Sequence, residues 1–222
     1  MDKITNRLYG VIWDMDGVII DSVPFHYQAW QTVFQKRGKN LEKSITEKPF
    51  GHIDTIKSVM GKDISEVELK EIATEKEEVF RQLITEQIRP LPGVIRLLVA
   101  LRKNGFKLAL ASSSPRENID LILEGLRASS YFDIIISAED VKHAKPDPEV
   151  FMLAAERLGV KNERCIVVED MPAGVSAAKQ VGMRCIGVAT NRPKAMLNDA
   201  DVVVESLAKI TLRDFLSLFG QE

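Results

Sequence analysis

The sequence predicts an α/β fold: a doubly wound parallel sheet with a small all-helical domain inserted in it. Three observations carry this. Short, wholly apolar runs recur along the chain, as in strands buried on both faces. Helical patterns with their own start and stop residues separate most of these runs. One long stretch, residues 22–88, holds helical signals and no convincing strand. The predicted boundaries are therefore 1–21 with 89–222 for the sheet domain, and 22–88 for the insert.

The strand candidates are Leu8–Trp13, Lys107–Ala111, Ile134–Ile136, Cys165–Val168, Arg184–Val188 and Val202–Val204. Between them, Val94, Leu97, Leu98 and Leu101 recur at helical spacing, and Gly105 follows as a stop. Ser114-Pro115 reads as an N-cap followed by proline at the first helical position, leading to Ile119 and Leu123. Asp147-Pro148 repeats that signal before Val150, Phe151, Ala154 and Leu158, with Gly159 as the stop, and Pro172 opens another helix toward Val181. Within the insert, one helix is predicted from Pro24 to about Arg37, with Trp30, Val33 and Phe34 on its apolar side. A capping box, Ser65 to Glu68, starts a second helix through Ile72, Val79, Phe80 and Leu83. Arg89-Pro90-Leu91-Pro92-Gly93 is the return linker.

Composition narrows the function classes. Of 222 residues, 45% are hydrophobic and 28% charged, the profile of a globular chain, and the net charge is −2 without a dense basic run. No extended nucleic-acid surface is expected. No run approaches ~18 apolar residues, and the N-terminus has no signal-like segment, so neither membrane insertion nor export is expected and the cytoplasm is the expected location. Cys165 and Cys185 each lie in an apolar run and read as buried strand residues.

Four polar signals stand just beyond strand ends. Asp14 and Asp16 follow Val11-Ile12-Trp13, with Gly17 next. Ser112 follows Ala109-Leu110-Ala111. Lys145 lies in Lys142-His143-Ala144-Lys145-Pro146-Asp147-Pro148. Glu169 and Asp170 follow Ile166-Val167-Val168. Singly, each has a plain structural explanation: a turn, an N-cap run, an exposed loop lysine. Together they gain weight, because a doubly wound sheet brings its strand C-termini to one edge, where ligands bind. The expected cluster holds carboxylates, a lysine and a hydroxyl. Oxygen donors of that kind suit Mg²⁺. Cation and lysine together shield a phosphate dianion, so that a carboxylate can attack it.

The order Asp-x-Asp-Gly, Ser, Lys-Pro, Glu-Asp resembles the haloacid dehalogenase-like hydrolase superfamily, in particular its β-phosphoglucomutase-like and phosphoglycolate-phosphatase-like members. The resemblance covers Tyr9 to about Arg192. It implies a Rossmann-like core with a helical cap, and roles for matching residues: Asp14 as nucleophile and Mg²⁺ ligand, and Asp16 as general acid/base whose backbone carbonyl also meets the metal. Ser112 and Lys145 hold the transferring phosphoryl group. Asp170 ligates Mg²⁺, with Glu169 beside it as a direct or water-mediated ligand. His26, Phe50, Gly51, His52, Ser113 and Arg116 are candidate substrate contacts.

Dehalogenases lack the second acid, so Asp16 favours phosphate chemistry. The choice between phosphatase and sugar-phosphate mutase turns on Lys48-Pro49-Phe50-Gly51-His52-Ile53-Asp54. Phe50 and Asp54 stand where mutases carry basic groups for a second phosphate. The expectation is a Mg²⁺-dependent phosphatase of a small phosphorylated metabolite, a sugar or polyol phosphate, acting through a phospho-aspartate as a cytoplasmic monomer. A β-phosphoglucomutase-like mutase is the alternative. A catalytically idle binding protein on this fold is disfavoured by the intact acid pair.

Overall fold

The computed structural model describes residues 8–41 and 52–220. The chain folds as two compact units, Met1–Asp21 with Arg89–Glu222, and Ser22–Ile88.

The larger unit is built on a six-stranded sheet, β1 (Gly10–Trp13), β2 (Lys107–Ala111), β3 (Ile134–Ile136), β4 (Cys165–Glu169), β5 (Arg184–Val188) and β6 (Val202–Val204). All pairs are parallel, in the order β3-β2-β1-β4-β5-β6. The chain order reverses beside β1, which lies between β2 and β4. That is the switch point at which open α/β sheets bind ligands. Helices α4 (Val94–Lys103), α5 (Arg116–Gly125), α6 (Glu149–Leu158), α7 (Pro172–Gln180) and α8 (Leu212–Leu218) complete this unit. One core joins Ile12, Ala109, Ala111, Ile136, Val167 and Cys185 of the strands to Val150, Phe151 and Ala154 of α6 and to Val175, Ala177 and Ala178 of α7. Alternation along the strands turns Trp13 the other way, where its ring lies 6.5 Å from Phe215 of α8. Burial of both faces is why the strands read as continuous apolar runs.

Three details differ from the sequence reading. First, β1 begins at Gly10 rather than Leu8, whose side chain is exposed. β4 runs one residue further, because Glu169 still pairs with Gly187. Second, the Ser-Pro and Asp-Pro signals start their helices one residue later, with Pro115 and Pro148 as the capping residues. Asp147 still caps: its Oδ1 accepts the Glu149 N–H at 2.9 Å. Ser114 does not, since α5 has no side-chain cap and the hydroxyl is used elsewhere. Third, the insert holds a helix, α2 (His52–Met60), beside the two anticipated, α1 (Val23–Gln35) and α3 (Glu66–Ile84). Its signal is Ile53, Ile56 and Met60 at helical spacing, which the neighbouring Pro49 and Gly51 disguise as a loop.

The smaller unit packs Trp30, Val33 and Phe34 of α1 against Ile56 of α2 and Ile72 of α3. Across α1 and α3, the His26 ring stacks on Phe80 at 3.8 Å and 4°. Lys76 is buried; its Nζ lies 2.7 Å from His26 Nδ1 and 2.8 Å from Glu77 Oε1. An open depression of about 500 Å³ on this unit is lined by Arg37, Lys70, Glu71, Glu75 and Glu78 among others. Lys36 and Arg37 already neutralise Glu75 there, and among the described residues no candidate borders it.

Cys165 and Cys185 are fully buried, and burial raises both thiol pKa values, which keeps them protonated. Among the described residues, no helix is long and apolar enough to cross a membrane.

Candidate active site

The ladder that ends β1 also places the first acid. Asp14 donates its N–H to Val168 O at 3.0 Å, which continues the β1–β4 pairing one residue past the strand. The chain then turns tightly: Gly17 N–H meets Ile20 O at 2.8 Å, and Ile19 N–H meets Met15 O at 2.8 Å. Gly17 has φ +78°, and a Cβ there would run into the Asp170 carboxylate. Glycine is required on both counts.

Ser112 is placed the same way, its N–H donating to Ile136 O at 3.1 Å just past β2. Its Oγ accepts the Ser114 N–H at 3.0 Å, and the Ser114 hydroxyl donates to Asp16 Oδ2 at 2.7 Å. Lys145 comes from the loop between β3 and α6. Glu149 braces that loop by accepting the Lys142 N–H at 3.1 Å and the His143 N–H at 2.9 Å. Gln180 of α7 holds Pro146 O at 2.9 Å.

So fixed, Lys145 Nζ donates to Asp14 Oδ1 at 2.6 Å and to Glu169 Oε1 at 2.8 Å. The second Glu169 oxygen accepts the Met171 N–H at 2.5 Å. A Cβ on Gly174 would strike this carboxylate, so α7 can approach only with glycine there. Asp170 is buried, and its Oδ1 has no hydrogen-bond partner.

Electrostatics follow from the count of charges. Three buried carboxylates, Asp14, Glu169 and Asp170, face Lys145, with the Arg192 charge acting on Asp170 as well. Burial, aided by Glu169 and Asp16 and opposed by Lys145, pushes Asp14 up to about 7. Burial and the charges of Glu169 and Asp14 push Asp170 well above the usual carboxylate range. Burial alone would lower the Lys145 pKa, but Asp14 and Glu169 outweigh it and raise it, so the ammonium stays charged. A buried acid with an orphan oxygen among like charges calls for a cation. Oxygen donors of this kind fit Mg²⁺.

The structure brings Asp14, Asp16, Ser112, Lys145, Glu169 and Asp170 to one edge of the sheet. Ser113 is exposed, and Arg116 is turned to Asp120, with Nε 2.8 Å from Oδ1. His26 belongs to the smaller unit, where it contacts Phe80 and Lys76. Phe50 and Gly51 lie outside the described residues, as does the side chain of His52, which opens α2. Sequence reasoning missed the link from Ser114 to Asp16, since a serine before a proline carries no mark that its hydroxyl is used across the sheet.

Residues 11–188 match the family model of the haloacid dehalogenase-like hydrolases. The chain belongs to this family. It is 34% identical to a phosphorylated carbohydrates phosphatase of Thermotoga maritima, over 88% of this chain and 90% of that protein. It is 33% identical to the β-phosphoglucomutase of Bacillus subtilis, over 91% of each. The crystal structure of β-phosphoglucomutase from Clostridium difficile superposes with a TM-score of 0.87 and 30% identity, over 96% of this chain and 97% of that one. As a haloacid dehalogenase-like hydrolase with phosphatase relatives, the chain is a phosphoric monoester hydrolase.

Proposed function

We propose that this hydrolase is a Mg²⁺-dependent phosphatase of small phosphorylated sugars or polyols that works through a phospho-Asp14 intermediate. The observation that carries the reading is the Lys145 ammonium bound to both Asp14 and Glu169, with Asp170 beside them holding an unpartnered oxygen.

Asp14 attacks phosphorus; the ester P–O bond breaks and its electron pair leaves on the alcohol oxygen. Asp16 supplies the proton to that oxygen. Water then attacks the phosphorus of the acyl phosphate, giving a proton to Asp16, and Asp14 is released with inorganic phosphate. Lys145 and the Ser112 hydroxyl hold the phosphoryl oxygens. Asp14, Asp170 and the Asp16 carbonyl would hold Mg²⁺, which supplies charge neutralisation for the dianion. Glu169 clamps Lys145 with one oxygen and the Met171 N–H with the other, and would support the metal directly or through water.

The metal assignment has a readout that is independent of turnover. Saturating Mg²⁺, at a hundredfold excess over its Kd, is expected to stabilise the protein by about 2.7 kcal/mol. For a chain of this size that is a rise in Tm of roughly 5–10 °C. Asp170→Asn should abolish most of that rise while leaving the metal-free protein at least as stable, since it removes one buried like charge. A shift in the variant equal to wild type would remove Asp170 from the metal site.

Substrate class and reaction type rest on the insert. The Thermotoga relative is named for phosphorylated carbohydrates, which supports a sugar or polyol phosphate. The identity to a β-phosphoglucomutase favours a second reading, the mutase. Against it stand Phe50 and Asp54 in place of basic groups. A bisphosphate must turn around while held by its second phosphate, and each missing charge-assisted contact costs roughly 1.5–3 kcal/mol. The deciding assay follows β-glucose 1-phosphate by NMR with a trace of glucose 1,6-bisphosphate. Free phosphate is the expected product, with no need for the bisphosphate. Glucose 6-phosphate accumulating much faster than phosphate would establish the mutase instead.

A further inference from the structure

Ser114 is 6% exposed and is fixed at three atoms. Its N–H donates to Ser112 Oγ at 3.0 Å, its carbonyl accepts the Ala138 N–H at 3.1 Å, and its hydroxyl donates to Asp16 Oδ2 at 2.7 Å. The hydroxyl takes no part in capping α5, although the capping residue of that helix, Pro115, is next in the chain. Its geometry is therefore set by the backbone on both sides and directed at one carboxylate oxygen.

We infer that Ser114 is a positioning residue that orients Asp16 and Ser112 together for phosphoryl transfer. The inference rests on the reading of Asp16 as the acid and base. The bond to Oδ2 fixes the rotation of the Asp16 carboxyl group, and with it the direction in which that group can present a proton. Ser114 thereby sets how Asp16 delivers the proton to the leaving alcohol and later takes one from water. In the same turn, the Ser114 N–H occupies a lone pair of Ser112 Oγ. That leaves the Ser112 hydroxyl to donate its hydrogen toward a phosphoryl oxygen. One residue thus sets the register between the group that holds the phosphoryl unit and the group that protonates what leaves it. A rotation of Asp16 by one carboxylate oxygen displaces the proton by about 2 Å, enough to matter for a transfer that needs hydrogen-bond contact.

The test uses the full chain with Mg²⁺ and two substrates, p-nitrophenyl phosphate and glycerol phosphate. The first has a good leaving group; the second needs the proton. Ser114→Ala should slow the burst of alcohol release from glycerol phosphate roughly tenfold, the upper worth of one neutral hydrogen bond, and that from p-nitrophenyl phosphate by a smaller factor. KM should move less than kcat. Ser114→Thr, which keeps the hydroxyl, should recover most of the loss. Within an Asp16→Ala background, Ser114→Ala should add little, because the group it orients is gone.

An equal loss on both substrates in the rapid-quench burst of alcohol release, or a loss in the Asp16→Ala background as large as in wild type, overturns the inference. If Ser114→Ala lowers Tm markedly, Ser114→Cys is read in its place, since it keeps the volume with a weaker donor, and the same outcomes decide. The underlying reading fails separately: Asp16→Ala would then slow the burst of alcohol release from both substrates by one factor, and this inference falls with it. Asp16→Ala selective for glycerol phosphate beside a non-selective Ser114→Ala overturns the Ser114 assignment alone.

Discussion

Asp14→Asn is expected to lower kcat by roughly 10⁴-fold or more, the scale seen when a covalent nucleophile is removed. The substitution keeps the volume and takes away the attacking charge. The fold should persist for a reason visible in the contacts. Lys145 loses the charge on its partner at 2.6 Å, although an amide oxygen there can still accept, and it keeps the Glu169 carboxylate at 2.8 Å, so no buried ammonium is stranded. Exchanging the acid for its amide also removes one of three crowded carboxylates, whose burial and mutual repulsion raise the Asp14 pKa to about 7. Thermal unfolding without metal should therefore shift little. Turnover of p-nitrophenyl phosphate and acid-quench trapping of phosphoprotein measure the loss; wild type should yield an acid-stable, base-labile phosphoryl group and the variant none. Retention of more than a tenth of the wild-type rate would assign the nucleophile elsewhere.

Asp16→Ala is expected to cost about 10²–10⁴-fold on an alkyl phosphate, the usual worth of general acid–base help. The loss should be visibly smaller on p-nitrophenyl phosphate in the step that expels the alcohol, since nitrophenolate departs without a proton. Hydrolysis of the phospho-enzyme is common to all substrates, so it should slow by one factor whatever the leaving group. Rapid-quench measurement separates the two steps. If the burst of alcohol release slows by the same factor for both substrates, Asp16 does not protonate the leaving group. Ser114, 2.7 Å away, makes this measurement the reference for its own test.

Much of the core was legible because it rests on short-range rules. Short β-branched runs such as Ile166-Val167-Val168 are what strands covered on both sides look like, and β4 is buried along its whole length. Pro172 opens α7 where its missing N–H costs nothing. The helix α2 was missed because a short amphipathic pattern beside Pro49 and Gly51 reads equally well as a loop. The predicted site residues on the sheet edge could be named as a set, since Asp14, Asp16, Ser112, Glu169 and Asp170 lie at or just past strand ends and Lys145 lies in the loop after β3. Their contacts could not be named, and Arg116 shows why: its charge beside the Ser112–Ser114 run suggested a phosphate contact, while helical spacing pairs it with Asp120 four residues on.

The sequence by itself determined the fold class, the strands and the chemical types gathered at one edge, because hydrophobic period and turn residues are local properties. Tertiary structure alone decided the partners. Lys145 and Asp14 are 131 residues apart, and Ser114 and Asp16 are 98 apart. Which carboxylate the lysine clamps, which is left with an orphan oxygen, and which hydroxyl meets Asp16 depend on how β1, β2 and β4 register in the sheet. Hydrogen bonds act over about 3 Å, and no pattern along the chain encodes that distance between residues so far apart.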